Sequence, residues 1–170
     1  MAEPPGAAAG GPPVWVASPA EAETVAGLMI GFRDHLGYDW PSDNAFLAGV
    51  ERLLDDRDTE FLLGAPDADS PPAGVCQLRY RWGLWRAGID CLLEDLYVAE
   101  AARGSGLGRA LVERAKARAR ERGARRMELD CNEANGAALA LYASAGFRNA
   151  SSAYDGARDL YLRLHLDPGG

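Results

Sequence analysis

Arg103-Gly104-Ser105-Gly106-Leu107-Gly108 combines residue types that can grip a phosphate. Upstream, Cys91 to Val98 reads as a mostly buried strand. Downstream, Leu107, Leu111, Ala115 and Ala119 recur every fourth residue, as on one face of a helix. A glycine-rich loop entering a helix presents unpaired backbone N–H groups at the positive end of the helix dipole. Glycine also admits positive φ and lets a ligand come close to the backbone. Alone, such a loop is equally a plain strand-to-helix turn, because short glycine patterns are common. Spacing excludes two other phosphate loops. A dinucleotide fingerprint would put its third glycine at 109 or 111, which are Arg109 and Leu111. A nucleoside-triphosphate loop needs Gly-Lys-Ser/Thr, which does not follow.

The pattern that fits is Arg-x-x-Gly-x-Gly, here Arg103, Gly106 and Gly108. In these residues the chain resembles the GNAT superfamily of N-acetyltransferases, whose acyl-CoA loop reads Gln/Arg-x-x-Gly-x-Gly/Ala between the fourth strand and the next helix. Farther on, Asn135, Ala138, Tyr142, Gly146 and Phe147 are similar to the family's Asn-x-x-Ala-x-x-x-Tyr-x-x-x-Gly-Phe. The likeness is dense from 85 to 150 and extends in outline over 14 to 166. It implies an α/β sandwich: a mixed, mostly antiparallel sheet with splayed central strands and flanking helices. It also implies acetyl-CoA as co-substrate and direct attack by an amine in a ternary complex; with only His35 and His165 to supply imidazole, no metal is expected.

The chemistry can be assigned to named residues. Backbone amides of Gly104, Ser105, Gly106, Leu107, Gly108 and Arg109 suit the pyrophosphate, with Arg103 and Arg109 attracting the anionic end of coenzyme A. In the family the fourth strand bulges and splays from the fifth. By match, the backbone of Leu96, Tyr97 and Val98 would pair with pantetheine, and one amide there would stabilise the acetyl oxygen. Ala99 stands where the family often has proline, a departure that loosens the loop without removing a ligand.

Glu94 is the candidate general base. An alkylammonium group titrates near pH 10.4, and a carboxylate at a partly buried strand position can relay its proton. Leu93 to Val98 is similar to the same strand of polyamine acetyltransferases, where the glutamate has this role. The competing reading pairs Glu94 or Asp95 with an arginine at the sheet rim. Asp95 would point to the opposite face of a regular strand. Tyr142 is the candidate general acid for the departing thiolate. It lies seven residues, two turns, beyond Asn135, which caps the helix and would contact the cofactor. Its competing role is packing under the sheet. Candidates for the acceptor pocket are Asp34, His35, Tyr38, Trp40, Tyr80, Trp82, Trp85 and Tyr154. Trp82 and Trp85, at a hairpin tip, could box an amine or form the preferred alternative, a homodimer contact.

These residues need elements to hold them. Residues 1–13 form a low-complexity tail expected to be disordered, and 14–170 one acetyltransferase domain. A short strand at 14–17 precedes Ser18-Pro19-Ala20-Glu21, a helix start with N-cap serine, proline at N1 and glutamate at N3. That helix fades near Gly37, and a second runs from 42 or 43 to about 54. Strands at 60–64, 73–82 and 89–98 lead to a helix at 106–122 and a strand at 126–131. A helix at 136–145 and a last strand around 159–166 close the order βααβββαβαβ.

Composition agrees with a globular enzyme. The chain has 170 residues, 48% hydrophobic and 25% charged, enough for one core. No 18-residue apolar run or secretory leader occurs, so the expectation is a cytoplasmic protein without a membrane partner. Cys76, Cys91 and Cys131 lack metal-ligand spacing and read as reduced core residues. Residues 109–126 carry eight basic side chains and two acidic ones, whereas the whole chain is −7. No aromatics interleave that run, which argues against nucleic acid. The acidic remainder favours a cationic small-molecule amine. Polyamine-like acceptors lead, ahead of aminoglycosides, amino acids and protein N-termini. A non-catalytic acyl-CoA-binding regulatory module, or an enzyme of the same fold using another acyl donor or acceptor, stays as an alternative.

Overall fold

The computed structural model describes residues 11–149 and 155–166. Five strands form one sheet: β1 (Val14–Val16), β2 (Thr59–Gly64), β3 (Gly74–Gly83), β4 (Gly88–Val98) and β5 (Ala124–Glu128). They lie in sequence order, antiparallel throughout except for the parallel pair β4–β5. Four α-helices accompany them: α1 (Ala22–His35), α2 (Asp43–Leu54), α3 (Leu107–Glu121) and α4 (Gly136–Ser144). The chain divides into two compact units, residues 1–129 and residues 130–170.

In the first unit the strand period of two sends alternate residues to two cores. Leu62, Cys76, Leu78, Cys91 and Leu93 pack with Leu107, Leu111, Ala115 and Ala119 of α3. Phe61, Leu63 and Val75 pack on the other face with Val25, Ala26 and Met29 of α1 and Val50 of α2. Helices on both faces of a mixed sheet make the expected α/β sandwich. Local chemistry sets the helix ends. The Ser18 N–H donates to Glu21 Oε2 at 2.8 Å, and Trp15 Nε1 donates to Glu21 Oε1 at 2.9 Å, so a capping box opens a 3₁₀ turn that runs into α1. Ser42 caps α2 by accepting the Ala45 N–H at 3.3 Å.

The second unit departs from expectation at its end. Residues 155–166 contain no strand; Arg158 makes one isolated bridge, and the Asp159 N–H donates to Asn149 O at 2.8 Å. Leu160, Leu162, Leu164 and Leu166 alternate as a strand would, yet all four are exposed. A strand's hydrogen bonds all come from a neighbour, so the pattern alone does not make one. β5 is also shorter than expected and ends at Glu128. Cys131 is half-exposed, unlike the buried Cys76 and Cys91. Burial pushes the Cys76 thiol far up and that of Cys91 up to about 12, so both stay as inert thiols.

Candidate active site

β4 bulges against β3 and parts from β5 within the stretch where the resemblance implies both. Against β3, Leu78 opposes Leu93 while Gln77 opposes Asp95, which leaves Glu94 as the extra residue of a bulge. Against β5, pairing runs only from Ile89 to Leu92. Among the described residues, 93–98 therefore have no ladder on that side, and the backbone of Leu96, Tyr97 and Val98 is a strand edge open toward β5.

The bulge also corrects one expectation. Cys91 and Leu93 face α3 before it, and Leu96 and Val98 face α3 after it, so the strand's parity changes there. Glu94 and Asp95 consequently share the face turned toward α1, instead of opposite faces. Glu94 is 38% exposed and meets Arg79 across the sheet, Nε to Oε2 at 3.5 Å. The pairing with an arginine, anticipated as the alternative to a base, is thus present and loose.

Tyr97 packs toward α1. Its ring stacks on Phe32 at 5.3 Å between centroids and lies 6.2 Å from His35. Arg103 reaches back to the same place: its Nε donates to Val98 O at 3.2 Å, and its NH2 approaches the His35 ring at 3.5 Å. Arg103 therefore ties the loop to the strand end, a role the motif spacing did not reveal.

The loop itself has the shape its glycines suggested. Gly104 and Gly106 have φ of 80° and 85°, where any Cβ would be strained. A Cβ built on either meets nothing within 4 Å, so the surface over the loop is open. Gly106 is the N-cap of α3 and offers no side chain to its first turn. Ser105 Oγ accepts the Leu107 N–H at 3.4 Å and donates to Ala102 O at 2.7 Å. A helix start with positive-φ glycines, an open face and no capping carboxylate fits a pyrophosphate.

In the second unit, Asn135 Oδ1 accepts the Ala138 N–H at 3.1 Å and caps α4 as predicted. Tyr142 lies two turns on and is buried, its ring edge-on to Phe147 at 5.9 Å. Past α4 the Phe147 N–H donates to Tyr142 O at 3.0 Å and the Gly146 N–H to Ala143 O at 3.1 Å, a Schellman ending.

The acceptor candidates separate. Tyr80 leaves the set: it is buried on the α3 face, and its hydroxyl donates to Glu60 Oε2 at 3.2 Å. Asp34 is held by Arg33 at 2.7 Å. Tyr38, Trp40, Trp82 and Trp85 are exposed, Trp85 at 96%. Tyr154 lies outside the described residues. A row of charge was missed. On the face of Glu94, Arg81 meets Glu128 and Arg126 meets the buried Asp90, each at 2.7 Å. Arg79-x-Arg81 and Arg126-x-Glu128 were its signal, two alternations of charge where a core strand would place apolar groups. Among the described residues no group of His, Cys, Asp and Glu could hold a metal ion, and no helix is long and apolar enough to cross a membrane.

A splayed, bulged strand followed by a glycine loop at a helix start defines an acyl-CoA-dependent N-acetyltransferase class. The GNAT acetyltransferase family profile matches residues 25–147, and the chain belongs to that family. It is 28% identical over 163 residues to the aminoglycoside N(6′)-acetyltransferase type 1 of Stenotrophomonas maltophilia, covering 94% of this chain and 97% of that protein. A solved structure from Arthrobacter sp. FB24 superposes with a TM-score of 0.81 at 29% identity, covering 95% of this chain and 99% of that one. An aminoglycoside acetyltransferase from an uncultured soil metagenomic sample, solved with sisomicin, shares the fold at 12% identity. Its TM-score is 0.73, over 92% of this chain and 97% of that one.

Proposed function

We propose that this enzyme moves the acetyl group of acetyl-CoA to a primary amine of a small polycationic molecule of the aminoglycoside type. The observation that carries the reading is the bulge at Glu94 beside an unpaired strand edge and an open glycine loop. The full-length likeness to an aminoglycoside acetyltransferase supports the acceptor class. A polyamine acceptor is the second reading, favoured by the similarity of Leu93 to Val98 to the polyamine enzymes.

Acetyl-CoA supplies an activated thioester; the chain's residues bind it and move the protons. In this reading the amides of Gly104 to Arg109 hold the pyrophosphate, with Arg103 and Asn135 as further contacts, and the edge Leu96-Tyr97-Val98 holds pantetheine. Glu94 takes the ammonium proton, directly or through a water, freeing the nitrogen lone pair. The C–N bond forms as the C–S bond breaks; Tyr142 gives its proton to the leaving thiolate, whose conjugate acid titrates near pH 8.5, and its phenolate is restored by the remaining excess proton of the acylated nitrogen.

The test is coenzyme A release, followed by thiol detection, across aminoglycosides, polyamines, amino acids and short peptides. Turnover of aminoglycosides is expected, with Glu94→Gln lowering it about 10²–10⁴-fold at neutral pH. Turnover of peptides alone would replace the acceptor assignment. No turnover of any amine by a protein that still binds acetyl-CoA would favour the regulatory module.

A further inference from the structure

Three arginines of the first unit oppose carboxylates on the face of the sheet that carries Glu94, and they are not equivalent. Arg81–Glu128 and Arg126–Asp90 close to 2.7 Å, the distance of formed charge-assisted hydrogen bonds. Arg79–Glu94 stays at 3.5 Å, longer than an ordinary N–H···O bond, with 48% and 38% of the two side chains exposed. An exposed pair of that length adds little to stability, so it can exchange. Arg79 also has a second acidic neighbour. It stands opposite Thr59 in the β2–β3 register, and Thr59 Oγ1 donates to Asp56 Oδ2 at 2.9 Å. The Arg79 charge is felt at Asp56, whose carboxyl lies below its usual range, chiefly through the Asp58 N–H, then Thr59.

We propose that Arg79 determines specificity. Its guanidinium, beside Glu94 and across the ladder from the Thr59–Asp56 pair, occupies the place that a second ammonium of a di- or polycationic acceptor takes on binding. This inference rests on the acceptor-side reading of Glu94 given above. A monoamine brings only the ammonium that Glu94 deprotonates, and no second charge to meet Arg79. A diamine must displace it, and the displaced guanidinium, on a half-exposed side chain, moves into water at little cost. Arg79 thus sets how strongly the enzyme responds to the number of charges on its acceptor.

Calorimetric titration of the full chain, saturated with coenzyme A, tests this without requiring turnover. The probes are 1,4-diaminobutane and butylamine. Arg79→Gln should tighten diaminobutane about two- to fivefold, the range an exposed ion pair commands. Butylamine should change less than the diamine, Arg79→Lys should restore wild-type behaviour, and 0.5 M salt should erase the difference. An equal change for both amines, no change, weaker diamine binding, or no binding of either amine would overturn it. Thermal unfolding of Arg79→Gln within a degree of wild type rules out a merely structural effect; a larger loss counts against the proposal. Failure of the acetyltransferase reading would register separately, as no coenzyme A release from any amine.

Discussion

Arg118 of α3 grips Glu60 of β2 with two parallel contacts, Nε to Oε2 at 2.9 Å and NH2 to Oε1 at 2.7 Å. Arg122 adds a third at 2.9 Å and stacks its guanidinium 4.4 Å from the Tyr80 ring centre. The basic run of α3 is thus partly an internal clamp. Burial alone would raise the Glu60 carboxyl, but Arg118 and Arg122 outweigh it and hold Glu60 below the ordinary carboxylate range. A carboxyl depressed on folding contributes stability that is complete above its unfolded pKa, near 4.3. That contribution drains away as pH falls through the folded value. Glu60→Gln should cost about 1.5–3 kcal/mol at pH 7, the range for hydrogen bonds to charged groups. Its Tm should also fall less than that of wild type between pH 5 and pH 3. Parallel Tm–pH curves for the two proteins would remove Glu60 from the acid response.

Gly106 joins two demands, a φ of 85° and an open face. Gly106→Val would add left-handed strain of about 1–2 kcal/mol and fill the space over the loop. Acetyl-CoA affinity should fall at least about tenfold, which is 1.4 kcal/mol, while the circular dichroism spectrum stays native. Unchanged affinity would take the pyrophosphate elsewhere.

Tyr142→Phe keeps the ring that packs edge-on against Phe147 and removes only the hydroxyl. Turnover should drop about 10²–10⁴-fold, as for loss of a general acid, with acetyl-CoA affinity nearly unchanged. Lost affinity with normal turnover would instead make the hydroxyl a binding group.

What could be read from the sequence was what neighbouring residues decide. Ser18 and Glu21, Asn135 and Ala138, and Gly106 at the start of α3 each act within a few residues, and each stands where expected. The positions that escaped depend on partners far along the chain. Tyr80 looked like a pocket aromatic until β3's alternation turned it toward Glu60, twenty residues away. The opposite-face expectation for Asp95 assumed a regular strand, and the bulge depends on register with Gln77 and Leu78. Leu160 to Leu166 had the right alternation, but alternation does not supply a neighbouring strand. At the hairpin tip a Cβ added to Gly83 would collide with the Asp90 carboxylate, a partner seven residues on that only the β3–β4 register brings near.

That carboxylate allows a prediction about asymmetry. Asp90 is 2% exposed, whereas the Arg126 side chain is 38% exposed and also meets Glu128 at 3.2 Å. The pair crosses β4 and β5 just before they part, in register with each other. Removing the arginine strands a buried charge, which costs about 3–5 kcal/mol when nothing compensates it. Removing the charge on the aspartate leaves an arginine that still has water and a second carboxylate. Arg126→Met should therefore lose more stability in urea than Asp90→Asn, and Arg126→Met combined with Asp90→Asn should recover part of the loss. The recovered share is the coupling energy of the pair. Equal losses in the two single variants, with simple addition in the double, would show that Asp90 and Arg126 act independently and that the strands part without this clasp.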